Sequence, residues 1–372
     1  MKVALDVSAV PEQLAGAGRY VAELARRLPG AGVDVTLVSR RDDAARWSAW
    51  SPEAEVAALV PNRRALRLAY EAWRLGTSAA AHAADVWHAP HYTMPRRGKR
   101  PTVVTIHDLT FFTNPEWHER SKVAFFRRSI RYSVTHADVL ITVSDFTARQ
   151  IDELFAHHAP VVVAPHGVDL ERFNADATDD DELLGRHGLS FGVPFVLFVG
   201  TLEPRKGLDV LLEAFAEIAA EDRVIELWLA GQAGWGMSHF EESLTRHPAA
   251  ARIRRLGFVD DEVLPALFRH SRVVVYPSRG EGFGLPVLEA MACGALLVTT
   301  SDSVMAEVAG RNAQLVEAGN ATRLAGAMTY SLSVTDDLRV ELGGFARRRA
   351  EHFTWEASIA QHLSAYDLAA SS

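Results

Sequence analysis

The stretch Y-P-S-R-G-E-G-F-G-L-P-V-L-E-A-M-A-C-G, residues 276–294, predicts a strand end, a glycine-rich loop and a helix in direct succession. The mainly apolar run 272–276 is of the strand type. Pro286 favours the first turn of a helix, where its missing N–H needs no partner, and Gly294 is typical of a helix end. A loop of this kind presents backbone N–H groups and the positive end of a helix dipole to an anion.

Two carboxylates flank this turn, Glu281 in the loop and Glu289 one helical turn further on. A carboxylate that lies beside an anion site is expected to bind another part of the ligand and not the anion itself. Hydroxyl groups of a sugar or a ribose would provide it, since an ionised carboxylate only accepts hydrogen bonds.

Composition limits the possible functions. The chain has 372 residues, which predicts two or three domains, and its net charge of −8 argues against nucleic acid as a partner. Its single cysteine, Cys293, excludes an intrachain disulfide, favours a reducing compartment and is interpreted as a buried structural residue. No signal peptide pattern and no apolar run of about 18 residues are present. We therefore expect a cytoplasmic protein, and peripheral contact with the inner face of the membrane stays open.

In the first half of the chain, short apolar runs alternate with helical patterns such as 116–135 and 145–155, which predicts βαβ units and an open parallel sheet. The predicted strands are 2–7, 32–39, 85–88, 102–106, 139–143 and 161–164. Ligands bind beyond the carboxyl ends of such strands. Polar residues cluster there: His88, His91, His107, Asp108, Ser144, Asp145, His166 and Asp169. Since His107 ends its strand, we expect its side chain to face the crevice.

Two other features of this half have two interpretations each. Gly16 and Gly18, after the first strand, either let the backbone approach a phosphate or form a tight turn without a ligand. The stretch 41–76 is rich in arginine and tryptophan, and part of it is predicted as an amphipathic helix. We favour an ordinary solvated helix face over contact with an anionic membrane or a lipid-linked acceptor.

The acidic stretch 174–192 shows no apolar strand pattern and predicts a linker between domains. Asp179, Asp180 and Asp181 fit the loose D-x-D pattern of some metal-dependent sugar transferases, but a solvated linker is the favoured interpretation. The expected domains are 1–173 and 193–352, with a final amphipathic helix in 353–372 that packs back towards the first domain.

The second half begins a new sheet at 195–199, followed by G-T-L-E-P-R-K-G, residues 200–207. Arg205 and Lys206 precede a helix, where cations are unfavourable unless an anion lies between them and the helix. Further strands are predicted at 225–230, 253–257, 273–276 and 295–299. The loops at 231–232 and 257–259 are candidates to line a nucleotide pocket. The sequence therefore predicts two doubly wound α/β domains with a crevice between them.

Together, the two cations, the helix N-terminus, the two glutamates and a histidine suit a diphosphate that carries a sugar on one side and a nucleoside on the other. Preorganised charge would stabilise the departing diphosphate. The sequence has no Ser-His-Asp order, zinc-ligand spacing or phosphate-binding P-loop, and Gly16 and Gly18 do not complete the G-x-G-x-x-G of nicotinamide enzymes.

The ordered motifs resemble glycosyltransferase family 4, which has the GT-B architecture. E-G-F-G-L-P-V-L-E at 281–289 is similar to the E-x7-E motif of that family, and G-T-L-E-P-R-K-G precedes it. The resemblance extends over nearly the whole chain: H-A-P-H-Y (88–92), T-I-H-D-L-T-F (105–111), V-S-D-F-T (143–147) and E-V-A-G (307–310). Two positions depart from the pattern, His166 and Gly207, where asparagine is common.

The resemblance implies a retaining transfer from a nucleotide sugar without a metal or cofactor. Arg205 and Lys206 would hold the diphosphate, Glu289 the ribose and Glu281 the donor sugar. His107 would also contact the sugar. The implied donor-binding residues are Gly16, Gly18, Gly200, Arg205, Lys206, Val259, Glu281, Phe283, Gly284, Leu285 and Glu289; the implied catalytic residues are His107, Arg205, Lys206 and Glu281.

The favoured hypothesis is a hexosyltransferase that uses GDP-mannose and a glycan or lipid-linked acceptor in cell-envelope polysaccharide synthesis, because the motif variants resemble mannosyltransferase-like members. A UDP-sugar is the alternative donor. A GT-B epimerase or phosphorylase, or a nucleotide-sugar-binding protein without catalysis, are the remaining alternatives.

Overall fold

The structure is a computed structural model that describes residues 1–12, 14, 16–98, 100–189, 192–236 and 238–371. The chain forms two compact units. Unit 1 comprises Met1–Gly167 together with Trp355–Ser372, and unit 2 comprises Val168–Thr354. Each unit is built around its own parallel sheet.

Unit 1 contains a seven-stranded sheet in the order β3-β2-β1-β4-β5-β6-β7. Its strands are β1 (Lys2–Asp6), β2 (Asp34–Arg40), β3 (Glu55–Val60), β4 (Val86–Ala89), β5 (Thr102–Ile106), β6 (Val139–Thr142) and β7 (Val161–Val163). All neighbouring strands are parallel. The strand order reverses between β1 and β4, which pair through Ala4 with Trp87 and Leu5 with His88.

Helices cover both faces of this sheet, as an all-parallel sheet requires. They are α1 (Gly16–Arg27), α2 (Ala44–Trp50), α3 (Arg64–Trp73), α4 (Ala79–Ala83), α5 (Thr110–Thr113), α6 (Arg120–His136) and α7 (Asp145–Leu154). Successive strand residues point to opposite faces. Val3 and Leu5 of β1 accordingly join one buried core and Ala4 joins the other.

Strand β3 was not among the predicted strands. The stretch 41–76, for which only a partial helix is predicted, forms α2, β3 and α3 in succession. The sequence of β3, E-V-A-A-L-V, contains two alanines, which have weak strand propensity, and it lies at the sheet edge with only Val60 fully buried. Pairing with β2 therefore decides this element more than its own sequence does.

Unit 2 contains a six-stranded parallel sheet in the order β10-β9-β8-β11-β12-β13. Its strands are β8 (Phe195–Val199), β9 (Glu226–Ala230), β10 (Ile253–Gly257), β11 (Val273–Tyr276), β12 (Leu297–Thr300) and β13 (Gln314–Val316). Its helices are α8 (Asp180–Arg186), α9 (Leu208–Glu221), α10 (Ser238–Thr245), α11 (Leu264–His270), α12 (Leu285–Ala292), α13 (Val304–Ala309), α14 (Ala321–Ser333) and α15 (Asp336–Ala350). The short edge strand β13 is the one strand of this sheet that the sequence did not predict.

The change from one unit to the other falls at Gly167 and Val168, within the range predicted for the first domain. The stretch 174–192, predicted as a solvated linker, belongs to unit 2, and part of it is helix α8. Asp180 of α8 is buried; it accepts a hydrogen bond from Arg269 Nε at 2.8 Å and lies 3.0 Å from His270 Nε2. The acidic run includes one aspartate whose ion pair fastens the segment to α11.

The last helix, α16 (Trp355–Ala370), belongs to unit 1. It packs against α1 and the strands β4, β5, β6 and β7, and buries Trp355, Ile359 and Tyr366 in the same core as Val3 and Leu5. No helix in the described ranges is long and apolar enough to cross a membrane.

The ion pair of Asp180 predicts a large effect on stability. Replacing Asp180 by alanine leaves Arg269, whose side chain is only 11% exposed, without its partner, so we expect a loss of about 3–5 kcal/mol in the free energy of unfolding. Urea unfolding followed by circular dichroism measures it. Asp181→Ala, at the exposed neighbouring position, is the matched control and should change stability by less than about 0.5 kcal/mol. Equal effects of the two substitutions would contradict the ion-pair role.

Candidate active site

The predicted cluster of charges lies where the strand order of unit 2 reverses. Strand β8 pairs with β9, the next strand in the chain, on one side and with β11 on the other. In open α/β sheets, ligands bind beyond the carboxyl ends of the strands at this reversal point. The loop after β8 carries Arg205 and Lys206, and the loop after β11 carries Glu281, so both halves of the site follow from the topology.

Glu281 joins the two loops. Its Oε2 accepts a hydrogen bond from Arg205 Nη1 at 3.0 Å, and its Oε1 forms an ion pair with Lys206 Nζ. Arg205 Nη1 also donates to the carbonyl oxygen of Gly280 at 2.8 Å. Three of the four predicted catalytic residues therefore lie together.

Two neighbours of Glu281 were not predicted from the sequence. Tyr276 at the end of β11 donates its hydroxyl hydrogen to Glu281 Oε1 at 2.9 Å and accepts one from Lys206 Nζ at 2.8 Å. Ser278 Oγ donates to the same Glu281 oxygen at 2.8 Å. The only sequence signal for these contacts is their position in the Y-P-S segment directly before the glycine loop.

The charges keep Glu281 ionised. Burial by itself raises the pKa of this carboxyl, but the charges of Arg205 and Lys206 and the hydrogen bonds to it outweigh burial and lower the pKa to about 2. Burial lowers the pKa of the Lys206 ammonium, and the charge of Glu281 opposes that shift. The carboxylate is therefore a group that allows the buried Lys206 and the half-buried Arg205 to lie side by side.

A second carboxylate completes the charge balance. Glu203 Oε1 lies 2.6 Å from Arg205 Nε, so the cluster pairs two cations with two carboxylates. The negative charge that is expected next to Arg205 and Lys206 is thus provided by the protein's own carboxylates, Glu203 and Glu281. The presence of the two cations alone is not an argument for a bound phosphate.

Gly207 closes the turn that carries the two cations. Its φ is 70°, and a Cβ there would lie 2.2 Å from the carbonyl oxygen of Pro277. Glycine satisfies both the left-handed conformation and the close approach of the two loops. A further hydrogen bond, from the backbone N–H of Arg279 to the carbonyl of Arg205 at 2.8 Å, ties the loops together.

Helix α12 begins at Leu285, one residue before Pro286, and its N-cap is Gly284 with φ 91°. A Cβ on Gly284 would lie 3.0 Å from Met305 Cγ, so glycine suits the position for two reasons. Phe283 is buried against Phe353, with ring centroids 6.0 Å apart. Glu289, predicted to bind a ribose, is buried in the second turn of the helix.

Two other predicted donor residues, Gly200 and Val259, follow the ends of strands β8 and β10. Gly200 follows β8 directly with φ 148°, and its carbonyl oxygen would be 2.0 Å from a Cβ on Gly231, which requires glycine at that second position. Val259 follows β10, which is two strands away from β8, and it is half-buried.

In unit 1, His107 follows β5 and is buried, with 6% of its surface exposed. Its Nε2 lies 2.8 Å from the carbonyl oxygen of Pro90. A carbonyl only accepts, so Nε2 carries the hydrogen and Nδ1 is the acceptor nitrogen of the neutral ring. Burial lowers the pKa of His107 below its ordinary value, which keeps the imidazole uncharged at neutral pH.

The two glycines after β1 have different environments. Gly16 begins α1 with φ 30°, and no atom lies within 4 Å of the position of a Cβ. Gly18 is buried within α1, where a Cβ would lie 3.3 Å from Leu14 Cδ2. Packing therefore accounts for Gly18, while Gly16 meets a backbone requirement.

Some of the polar residues that are predicted at the strand ends are parts of the folded core or of a helix cap instead. His88 lies inside β4 and is completely buried, not beyond the strand end. Ser144 caps α7, since its Oγ accepts a hydrogen bond from the backbone N–H of Thr147 at 3.1 Å. Within the described ranges, no group of three or more histidine, cysteine, aspartate or glutamate residues is arranged to hold a metal ion.

Comparison with known proteins agrees with this architecture. The family described as "Glycosyltransferase Family 4" matches residues 14–172, and "Glycosyl transferases group 1" matches residues 193–333. The fold is that of the GT-B glycosyltransferases, with two Rossmann-like domains. The two matches together span most of the chain, which is therefore a glycosyltransferase with a family 4 domain followed by a group 1 domain.

Individual relatives resemble the chain over its full length. It is 29% identical to O-antigen chain mannosyltransferase B of Escherichia coli, over 99% of this chain and 100% of that protein. Sucrose-phosphate synthase from Thermosynechococcus elongatus has a TM-score of 0.79 at 21% identity, over 100% of both chains. Anabaena Alr3699/HepE in complex with UDP-glucose has a TM-score of 0.77 at 20% identity, also over 100% of both chains. At these identities the two structures show the fold alone.

The buried histidines of unit 1 predict a loss of stability in mild acid. Burial lowers the pKa of five imidazoles, to about 3 for His91 and about 4 for His362. The others are His88, His107 and His166. As the pH falls from about 6.5 towards 4, the unfolded chain binds protons that the folded chain does not, so stability is full above pH 6.5 and decreases below it. Each histidine contributes up to about 1.4 kcal/mol per pH unit.

Urea unfolding at pH 7.5, 6.0 and 5.0 measures this slope. His362→Gln removes one titrating ring and should make the slope shallower, whereas the exposed His136→Gln should leave it unchanged. A stability that does not change between pH 7.5 and 5.0 would show that the buried rings do not titrate as described.

Proposed function

We propose that this glycosyltransferase transfers mannose from GDP-mannose, with retention of configuration, to a glycan or lipid-linked acceptor in the synthesis of a cell-envelope polysaccharide. The observation that carries the proposal is the group formed by Arg205, Lys206 and Glu281 beside the N-terminus of α12, at the reversal point of the unit 2 sheet. The full-length similarity to an O-antigen mannosyltransferase supports the choice of sugar.

In this proposal, the diphosphate of the donor binds to Arg205 and Lys206. The planar guanidinium, which already contacts Glu203, Glu281 and Gly280, adds charge-assisted hydrogen bonds to phosphate oxygens, and the ammonium acts as a compact charge. The dipole of α12, with backbone amides from Phe283 to Leu285, adds directional stabilisation. As the bond between the sugar and the phosphate breaks, these groups stabilise the negative charge that develops on the leaving diphosphate.

The two glutamates of the E-x7-E motif take separate roles. Glu289 accepts hydrogen bonds from the ribose hydroxyls, and Glu281 lies near the donor sugar while it holds the two cations. Gly200 and Val259 contribute to the nucleotide side. Retention is proposed to follow attack on the same face of the sugar, with a leaving phosphate oxygen taking the proton of the acceptor hydroxyl. No side-chain nucleophile is needed in that mechanism.

Unit 1 is proposed to bind the acceptor and to contribute Gly16, Gly18 and His107 to the donor. The neutral His107 ring offers Nδ1 as an acceptor for a sugar hydroxyl. A polar group at the carboxyl end of β1 supports acceptor binding: Ser8 Oγ and Arg67 Nη1 donate to Glu71 Oε1 at 2.9 and 3.0 Å, next to Asp6. Burial and the charge of Asp6 raise the pKa of Glu71 to about 7. Carboxylates and a guanidinium are suited to the hydroxyl groups of a glycan.

Isothermal titration calorimetry with GDP-mannose, UDP-glucose and UDP-N-acetylglucosamine tests the donor assignment. GDP-mannose should bind most tightly, and binding should weaken by about tenfold or more in Arg205→Ala, which loses a charge-assisted phosphate contact. Preferential binding of a UDP-sugar would replace the proposed donor. The absence of binding by all three would reject the donor site itself.

Turnover with the preferred donor should depend on both cations. Arg205→Ala and Lys206→Ala should each lower kcat by about 10²–10³-fold, as the loss of one preorganised donor does in other enzymes. Arg205→Lys keeps the charge but loses the fork and should retain only part of the rate. Arg223→Ala, at an exposed position after α9, is the matched control and should keep full activity. Circular dichroism verifies folding, and a folded Lys206→Ala protein with full turnover would contradict the role of that residue.

A further inference from the structure

A chain of five hydrogen bonds runs through the interior of unit 1 and begins and ends on the C-terminal helix α16. It consists of Tyr366, His88, Thr105, Tyr20, His362 and the carbonyl oxygen of Ser358. These residues come from α16, β4, β5 and α1, and none of them is more than 1% exposed. Their hydrogen-bonding groups therefore depend on one another.

The direction of the chain is determined from the Ser358 end. His362 Nδ1 lies 2.7 Å from the Ser358 carbonyl oxygen, which only accepts, so Nδ1 carries the hydrogen. Burial lowers the pKa of His362 to about 4, and the neutral ring then accepts at Nε2. The hydroxyl of Tyr20, 2.8 Å away, must donate to that nitrogen.

The same reasoning fixes the remaining hydrogens. Tyr20 has used its hydroxyl hydrogen, so Thr105 Oγ1, at 2.8 Å, donates to the Tyr20 oxygen. Thr105 has then used its own, so His88 Nε2, at 2.9 Å, donates to Thr105. The neutral His88 ring accepts at Nδ1 from the hydroxyl of Tyr366 at 2.8 Å. Every hydrogen in the chain has one assigned position.

This chain reaches His107 through the ring of Tyr20, and Thr105 lies close to it along the chain. The ring of Tyr20 meets the ring of His107 edge to face, with centroids 5.1 Å apart and an angle of 86° between the planes. Thr105 is two residues before His107, at the end of β5, so its hydrogen bonds hold the strand end from which His107 projects. Tyr20 also anchors α1 close to its first residue, Gly16.

We propose that the chain is a positioning network, which holds the His107 imidazole in one orientation for the donor sugar, while the Pro90 carbonyl sets its tautomer. Tyr20 and Thr105 are then positioning residues, and α16, the last helix of the sequence, acts through them. The inference rests on the proposed role of His107 in donor binding. The order of the hydrogen bonds in the chain does not depend on that role.

Kinetics of conservative variants test the positioning role. Tyr20→Phe and Thr105→Val remove one hydroxyl each, and both should lower kcat by about 10–100-fold while the donor KM changes by less than about threefold, because misplacement of a reacting group affects the transition state most. Thr105→Ser keeps the hydroxyl and should restore most of the rate. Tyr132→Phe, on α6 outside the chain, is the matched control and should keep the wild-type kcat.

Nitrogen-15 spectra of the histidine rings test the order of the hydrogen bonds without any measurement of activity. We expect a hydrogen on Nδ1 of His362 and on Nε2 of His88 and His107 in the wild type, and a changed His107 signal in a folded Tyr20→Phe protein. Any other tautomer at His362 or His88 would overturn the network.

The two proposals fail in different ways. Wild-type protein that neither binds a nucleotide sugar nor transfers one would overturn the proposed function, and with it the catalytic part of this inference. If His107→Ala loses activity but Tyr20→Phe and Thr105→Val keep the full kcat, the positioning role is wrong and the proposed function stands.

Discussion

The site in unit 2 depends on the compensation of one carboxylate whose side chain is only 10% exposed. Glu281 accepts hydrogen bonds or ion pairs from Arg205, Lys206, Tyr276 and Ser278, and these partners come from the loop after β8 and from the end of β11 with the loop that follows it. A buried charge without partners costs several kcal/mol, so neither loop keeps this conformation without the other. Glycine is needed at position 207 because the two loops approach closely enough to exclude a side chain there.

In unit 1, one group of buried polar side chains is satisfied by hydrogen bonds between neutral groups. Burial lowers the pKa of His88 and His362, and the chain from Tyr366 to Ser358 satisfies these two neutral rings with neutral donors and acceptors instead of ion pairs. Compensated charges therefore hold the two loops of unit 2, whereas neutral hydrogen bonds connect α16 to the strands β4 and β5 in unit 1.

The sequence predicted the elements that have strong local signals. The apolar runs that became β8 and β11, the glycine loop and the start of α12 near Pro286 are all visible in single stretches. Strand β3 and helix α8 were missed because tertiary contacts decide them: pairing with β2 in one case, and the ion pair of Asp180 in the other. The hydrogen-bond chain could not be predicted from the sequence either, since Tyr20 and His362 are 342 residues apart and no spacing rule connects them.

The charge balance of the unit 2 cluster also limits how a diphosphate can be recognised. Arg205 and Lys206 are already paired with Glu203 and Glu281, so their net charge offers little long-range attraction to an anion. In the proposed function, attraction would then come from short-range hydrogen bonds to the phosphate oxygens, from the guanidinium, the ammonium and the end of α12. Such donors cost no reorganisation when the leaving group develops charge, which is the condition for stabilising a transition state more than a ground state. In the proposed site, Glu203 and Glu281 are therefore the groups that keep the two cations in place until the donor arrives.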